Sequence, residues 1–377
     1  MDIYNKNNNY NKQILVINDW IPSFNSNAGD KCTFMYLKLF KELGFKVTFI
    51  AENFNKLEPF TTVLQKNGIK VLCGKLYKKG IESWLKKHLI QYKYVYLERP
   101  KSGNKFIDLI RNNFSGKIFY FGHDLHFIRL LREYNITHNK NILEQSNNIK
   151  KIEMEIFSKV NIIHVVGSYE QNLLQKKFPE KPIRNIPIFV YDTQFPNVEK
   201  DFSKRKDLIF VGGFSHSPNI DAIKWFNSEI FPRIIYKFPN IILHIVGSNV
   251  PQIIKKMQSN NIKIEGPLQE KELYLLYNQC RIAIAPLRFG AGIKGKVVEA
   301  AYFQIPMVTT SIGGEGLDYS IGSFLIADDS QKMAKLICQL YLEFSKLRQM
   351  SDSGKIFIEK YFSKNKAKEA LLKDIDI

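Results

Sequence analysis

The chain has 377 residues, of which 45% are hydrophobic and 24% charged. This is a globular composition with room for two sizeable cores, and it excludes disordered and fibrous classes. The net charge is +19, and it is uneven: residues 1–190 hold 30 Lys and Arg against 16 Asp and Glu. Such a basic half suits a polyanionic neighbour, such as an anionic membrane surface, an acidic glycan or a lipid phosphate; a proteome rich in Lys and Asn gives the same balance. A nucleic-acid partner is not expected, because no motif interleaves aromatic with basic residues.

The polar, Asn-rich start from Met1 to Lys12 lacks the apolar stretch of a signal peptide. No run approaches the roughly 20 apolar residues of a membrane span. Cys32, Cys73, Cys280 and Cys338 lie far apart, with no CxxC pair and no metal-ligand spacing. They read as reduced thiols of a cytoplasmic protein, peripheral at the inner face of a membrane if it meets one. No metal is expected.

Short β-branched runs then alternate with amphipathic helical stretches. Strands are expected at Gln13–Asn18, Lys46–Ala51, Ile69–Cys73, Tyr92–Leu97, Lys117–Phe121 and Asn161–Val166, with a helix at Lys31–Leu43. Lys75–Lys93 reads as a basic amphipathic helix with Tyr77, Ile81, Trp84, Leu85, His88 and Leu89 on one side. That stripe either packs on the sheet or rests on anionic lipid. Phe178–Lys206 contains Pro179, Pro182, Pro187 and Pro196 and reads as an interdomain linker.

Beyond it the alternation restarts. Strands are expected at Asp207–Val211, Ile241–Val246, Ile262–Glu265, Arg281–Pro286, Met307–Thr310 and Phe324–Ala327. Helices are expected at Pro218–Lys237, Gln252–Ser259, Glu270–Cys280, Lys294–Phe303 and Gln331–Met350. Near-continuous apolar strands separated by helices imply parallel sheets covered on both faces. The expected fold is α/β, with two doubly wound, Rossmann-like parallel-sheet domains facing a central cleft. Their bounds are 1–190 and 191–355, and a last helix, 356–377, crosses back to the first domain.

Ligands of open parallel sheets bind beyond the carboxyl ends of the strands. Three such loops stand out in the second half. Gly212, Gly213 and His216 precede a helix with Ser217 as its expected N-cap and Pro218 at its first position, an arrangement suited to phosphate or to a plain capped turn. Arg288, Gly290, Ala291, Gly292, Ile293 and Lys294 follow the fourth strand. Three glycines within six residues allow backbone to wrap a diphosphate, with Lys294 or Lys296 supplying charge. Glu299, one turn into the next helix, is placed to accept hydrogen bonds from a ribose diol. The third loop contains Gly313, Gly314 and Gly316.

The run Gly290–Leu317, GAGIKGKVVEAAYFQIPMVTTSIGGEGL, resembles the donor-binding segment of GT-B glycosyltransferases of family 4. FVGGF at 210–214 is similar to that family's first donor-domain strand and loop. The resemblance covers nearly all of residues 207–377. It implies a retaining, metal-independent glycosyltransferase that needs no cofactor beyond its nucleotide-diphosphate sugar donor. It also implies a glycan, lipid-linked or protein acceptor and a role for Glu299 in holding the nucleotide ribose. Two positions depart from the family pattern. Ala291 stands where a first glutamate is common, and Gly213 where a basic residue is common; Lys294 is the candidate to replace that charge.

In the first half, Asp19–Asp30 resembles the family's acceptor loop, with Gly29 at its key position and Asp30 beside it. His123 and Asp124 close the strand Lys117–Phe121, where relatives keep a histidine facing the donor sugar. His126 and Arg129 follow on a helix, and Glu98–Arg99 ends another strand. Asp124, Lys294 and Glu299 join His123 as candidate catalytic groups. A nicotinamide-dependent oxidoreductase would need GxGxxG after the first strand, where NDWIPSF stands. A sugar-nucleotide epimerase of the same fold and a non-catalytic partner subunit are the alternatives.

Overall fold

The computed structural model describes residues 12–192 and 194–376, so the stretch expected to fray at Met1–Lys12 lies almost wholly outside the described residues. Seven strands build one sheet: β1 (Gln13–Asn18), β2 (Lys46–Ala51), β3 (Lys70–Leu72), β4 (Tyr94–Glu98), β5 (Lys117–Phe121), β6 (Ile162–Val165) and β7 (Ile183–Asn185). Six build a second: β8 (Lys206–Val211), β9 (Leu243–Val246), β10 (Ile262–Gly266), β11 (Cys280–Ala285), β12 (Met307–Thr309) and β13 (Phe324–Ile326). Every pairing in both is parallel. The chain forms two compact units. Unit 1 contains the described residues up to Phe24, Gly29–Pro187 and the chain from Ala367 onwards; unit 2 contains Asn25–Ala28 and Ile188–Lys366.

The strand orders are β3-β2-β1-β4-β5-β6-β7 and β10-β9-β8-β11-β12-β13. Each unit is therefore doubly wound. The chain starts mid-sheet, winds outward and then crosses back to wind the other way, and because every crossover is right-handed the reversal moves the helices to the other face. That leaves one switch point per sheet, between β1 and β4 in unit 1 and between β8 and β11 in unit 2. Loops leaving those strands diverge and open a crevice.

The strands were expected to be near-continuously apolar, and their central residues are. Ile14 to Ile17, Val95 to Leu97 and Ile282 are fully buried. In unit 2 the core joins Leu208, Phe210, Ile245, Ile284 and Val308 to Ile223, Phe226, Ile234 and Met333 of the covering helices. Each such side chain contributes roughly 1.5–3 kcal/mol on burial.

Three expectations change. The linker holds a strand: Ile183–Asn185 pairs with β6, Ile163 opposite Ile183. Three residues between Pro182 and Pro187 suffice for an outermost strand, where proline is tolerated. The helix expected over 218–237 contains a π turn at Phe226–Ile230. Pro232 follows directly; it has no N–H to give the preceding turn, and the widened turn accommodates its ring. The helix expected over 331–350 is two, Ser330–Leu340 and Phe344–Tyr361, and Lys364–Leu371 is a separate final helix.

Candidate active site

In unit 2 the two loops at the switch point are those after β8 and β11. The first turns at Gly212, whose N–H donates to the Val246 carbonyl at 2.9 Å. A β-carbon there would lie 2.7 Å from Lys296 Nζ and 2.8 Å from Asn219 Nδ2, so a side chain would push both aside. Asn219 Nδ2 donates to the Gly213 carbonyl at 2.7 Å, which folds the loop over the helix start. The helix begins at Ser217 itself, so the N-cap is the exposed His216, whose side chain makes no capping bond. Ser217 is thus not the cap, although Pro218 does sit in the first turn as expected.

The loop after β11 uses its glycines as the sequence requires. Gly290 and Gly292 have φ of 152° and 64°, conformations side chains rarely adopt. Ala291 and Ile293 are buried at 7% and 9% exposure, so what this loop can present to a ligand is chiefly backbone. Lys294 turns back on it. Its ammonium donates to the Gly292 carbonyl and lies 3.5 Å from Glu315, tying the second loop to the third. Arg288, expected among donor ligands, is exposed and held in a two-pronged pair by Asp221 on the helix Ser217–Trp225. Gly314 is set by packing: a β-carbon would meet the Phe324 ring at 3.0 Å.

The charge at the centre of the switch point is Lys296. Its Nζ donates to Asn219 Oδ1 at 2.6 Å and lies 4.0 Å from the Phe210 ring centre. Burial pulls its pKa down to about 7 against the opposing pull of Glu299. Part of the residue meets solvent, but the ammonium lies among these groups. Glu299 occupies the helix Gly295–Tyr302, and its charge helps hold the buried phenols of Tyr277 and Tyr191 far above their usual range, after burial itself. The Tyr277 hydroxyl is its hydrogen-bond partner.

In unit 1 the switch-point residues form one network. Glu98 is buried and accepts from Asn18 Nδ2 at 2.5 Å and Thr33 Oγ1 at 2.6 Å; His123 Nε2 stands at 3.4 Å. Arg99 reaches Asn18 Oδ1 at 3.1 Å and Asp30 at 2.9 Å and stacks 4.5 Å over Trp20. Asp30 also accepts from Trp20 Nε1 at 3.0 Å and from the Ser23 hydroxyl at 2.8 Å. It therefore acts as the staple of the loop after β1. Gly29 lies in the first turn of the helix Ala28–Glu42 rather than in a free loop.

Arg99 and His123 both have left-handed backbone, φ 66° and 68°, just past the ends of β4 and β5. Strain of this kind persists only where surroundings fix it, and it clusters at ligand sites. Asp124 forms a second group with His126 Nε2 at 3.1 Å and Arg129 at 2.5 Å. Burial pushes His126 down to about 4, Asp124 opposing, so its ring is neutral at pH 7. Glu153 accepts the N–H groups of His126 and Phe127, both at 3.1 Å, a cap the sequence did not reveal from 27 residues away. Burial raises its carboxyl to about 8.

A small cavity beside this cluster is lined by Tyr120, His123, Asp124, His164 and Glu170 among others. Among the described residues Tyr120 Oη, His123 Nδ1 and His164 Nε2 are buried without a hydrogen-bond partner. His164 Nδ1 is satisfied by Tyr96 Oη at 2.8 Å, and burial lowers its pKa to about 3. A lone buried hydroxyl costs about 1–3 kcal/mol. Tyr120→Phe is therefore expected to hold or raise the midpoint of thermal unfolding; a clear fall would show that the hydroxyl is satisfied in solution. Among the described residues no group of three or more His, Cys, Asp or Glu is placed to hold a metal ion.

Residues 205–343 match the family described as "Glycosyl transferases group 1". The "Uncharacterized 44.6 kDa protein in cps region" of Klebsiella pneumoniae is 28% identical over 176 residues. That match spans 45% of this chain and 45% of the relative, less than half of each. Three solved structures share the fold at low identity. TarM has a TM-score of 0.75 at 13% identity, over 96% of this chain and 98% of its own. The sucrose-phosphate synthase of Thermosynechococcus elongatus has 0.72 at 14%, over 95% and 97%. The Anabaena protein Alr3699/HepE, solved with UDP and glucose, has 0.67 at 13%, over 96% and 98%. The pair of Rossmann-like units implied by the GT-B resemblance is thus the fold of the chain.

Proposed function

We propose that the chain is a glycosyltransferase that takes a sugar from a nucleoside-diphosphate sugar held by unit 2 and passes it to a hydroxyl of a glycan, lipid-linked or protein acceptor. The observation that carries this reading is Lys296. Its amine stands at the switch point of unit 2, held by Asn219, within the segment that matches the group 1 family, beside glycine turns and a helix start, and burial lowers its pKa. An anionic diphosphate brought there would draw the ammonium to its charged form and gain a charge-assisted hydrogen bond. The HepE structure with UDP supports a nucleoside diphosphate as the ligand class.

In the reaction the acceptor oxygen bonds to the anomeric carbon as the bond from that carbon to the diphosphate breaks. The nucleoside diphosphate departs with the electron pair, and the acceptor proton passes to its released oxygen. The reading is of transfer with retention and without a metal, and it makes leaving-group stabilisation the main catalytic lever. Lys296 and the backbone N–H groups of the loops after β8 and β11 supply it. Lys294, bound to Glu315, orders the loop and can follow the ligand when that pair opens. Glu299 holds the ribose. To the acceptor we assign His123, Asp124, His126, Arg129, Glu98 and Arg99 of unit 1, with His123 orienting the acceptor. Four free thiols suit a cytoplasmic setting. A non-catalytic partner subunit is the second reading, favoured by Ala291 in place of the usual glutamate.

The test is a thermal-shift screen against UDP-, GDP-, CMP- and dTDP-sugars. One nucleotide class is expected to raise the midpoint, by about 2.7 kcal/mol of stabilisation at a hundredfold excess over Kd. Glu299→Ala is expected to remove most of that shift. No shift with any class sinks the reading, and a shift without transfer or hydrolysis selects the non-catalytic subunit.

A further inference from the structure

We infer that the outward face of the helix Lys75–His88 docks on an anionic lipid bilayer. The apolar stripe visible in the sequence does not serve this purpose. Ile81, Leu85 and Leu89 are buried in unit 1, and Trp84 stacks on His88 with ring centres 4.4 Å apart. Lys75, Lys79, Lys86 and Lys87 stand on the opposite face and Lys78 in the first turn, all exposed, against the single acid Glu82. None of these five lysines joins a salt bridge among the described residues.

Two large apolar side chains stand among them. Leu76 is 81% exposed and Ile90 88%. At 3.6 residues per turn Leu76, Ser83 and Lys87 fall on one line of the helix, and Ile90 continues it in the short turn Leu89–Gln91. They are the two most exposed aliphatic side chains among the described residues.

The start of the helix is also charged against its dipole, whereas Lys86, Lys87 and His88 suit its last turn. Its first turn has no acid and no side-chain cap, yet Lys75 and Lys78 lie in it, and Lys79 repels Lys75 across one turn. A layer of phosphate headgroups reverses both penalties. The spacing of the two aliphatic side chains selects among anionic partners. They stand about 20 Å apart at 1.5 Å per residue. A folded acidic protein would need two shaped pockets to receive them, and a nucleic acid would have no use for them. A bilayer interface accepts both without shape, with lysines at headgroup level.

This inference holds independently of sugar transfer. It is tested by co-sedimentation of the full chain with vesicles of phosphatidylcholine alone or mixed with phosphatidylglycerol. The chain is expected to pellet only with the mixed vesicles and to be released by high salt. The triple variant Lys79→Gln, Lys86→Gln, Lys87→Gln is expected to bind on the order of 100-fold more weakly, at about fivefold per lysine. Leu76→Ser with Ile90→Ser is expected to weaken binding about tenfold. All five positions face solvent, so an unchanged far-ultraviolet dichroism spectrum confirms that the variants fold. Wild-type chain left in the supernatant with mixed vesicles overturns the inference, as do variants that pellet like wild type. Loss with the lysine variant but not with the Leu76 and Ile90 pair also overturns it and assigns the face to a soluble polyanion.

Discussion

Lys296→Ala is expected to weaken binding of a nucleoside-diphosphate sugar by roughly 10- to 100-fold, the size of a charge-assisted hydrogen bond. It is expected to lower kcat by a further 100-fold or more, because the same charge faces the departing diphosphate. The pH dependence separates this from a packing defect. With its pKa near 7, the ammonium of the free protein discharges as pH rises through 7. Affinity is then expected to fall by up to tenfold per pH unit above that point, while Lys296→Ala binds weakly and evenly across the range. Isothermal titration calorimetry from pH 6 to 9 with an intact nucleotide sugar reads both. A flat wild-type profile would remove Lys296 from the site.

Folding responds with the opposite sign. The folded pKa lies below the ordinary lysine value of 10.5, so between about 7 and 10.5 the unfolded chain binds the extra proton. The contribution of Lys296 to stability therefore improves as pH climbs through that window and is constant below 7. Alkali helps this residue pack and hinders it from binding an anion.

The second large effect lies in unit 1. Glu98→Ala removes the carboxylate that accepts from the buried Asn18 Nδ2 and Thr33 Oγ1 and leaves Asn18 Nδ2 and His123 Nε2 with Thr33 Oγ1 alone, at 3.2 and 3.5 Å. Breaking a buried polar network from one side typically costs about 3–5 kcal/mol. The expected result is a fall of that order in the unfolding free energy of unit 1. Glu98→Gln keeps an accepting oxygen in place and is expected to lose less than half as much. Calorimetric scans of both variants check this; equal losses would mean that shape, not hydrogen bonding, governs the position.

Much of this was legible in the sequence. The runs QILVIN, KVTFIA and KIFYF gave strand bounds that the structure matches residue for residue, because a strand buried on both faces selects a run of mostly apolar residues. The glycines of the loop after β11 could be placed because only left-handed backbone requires them. What stayed hidden depends on pairing across distance. Lys294 and Lys296 sit two residues apart, at the cap and in the first turn of one helix, and spacing does not tell which turns inward. The structure places Lys296 there because Asn219, 77 residues earlier, holds it. Arg288 read as a free cation until Asp221, 67 residues away, closed on it. Ile183–Asn185 was lost among prolines, since three residues at a sheet's rim carry no periodicity.

The residues from Ala367 onwards belong to unit 1. There Asp374 receives Arg184 at 2.8 and 3.0 Å and Lys117 at 2.8 Å, and Asp376 meets the Tyr94 hydroxyl. A ribosome delivers these partners only after all of unit 2 has emerged. The first half of the polypeptide must wait, incompletely closed, while the second is made. Nascent chains halted at residue 190 would then be more open to protease than the same residues in the released protein.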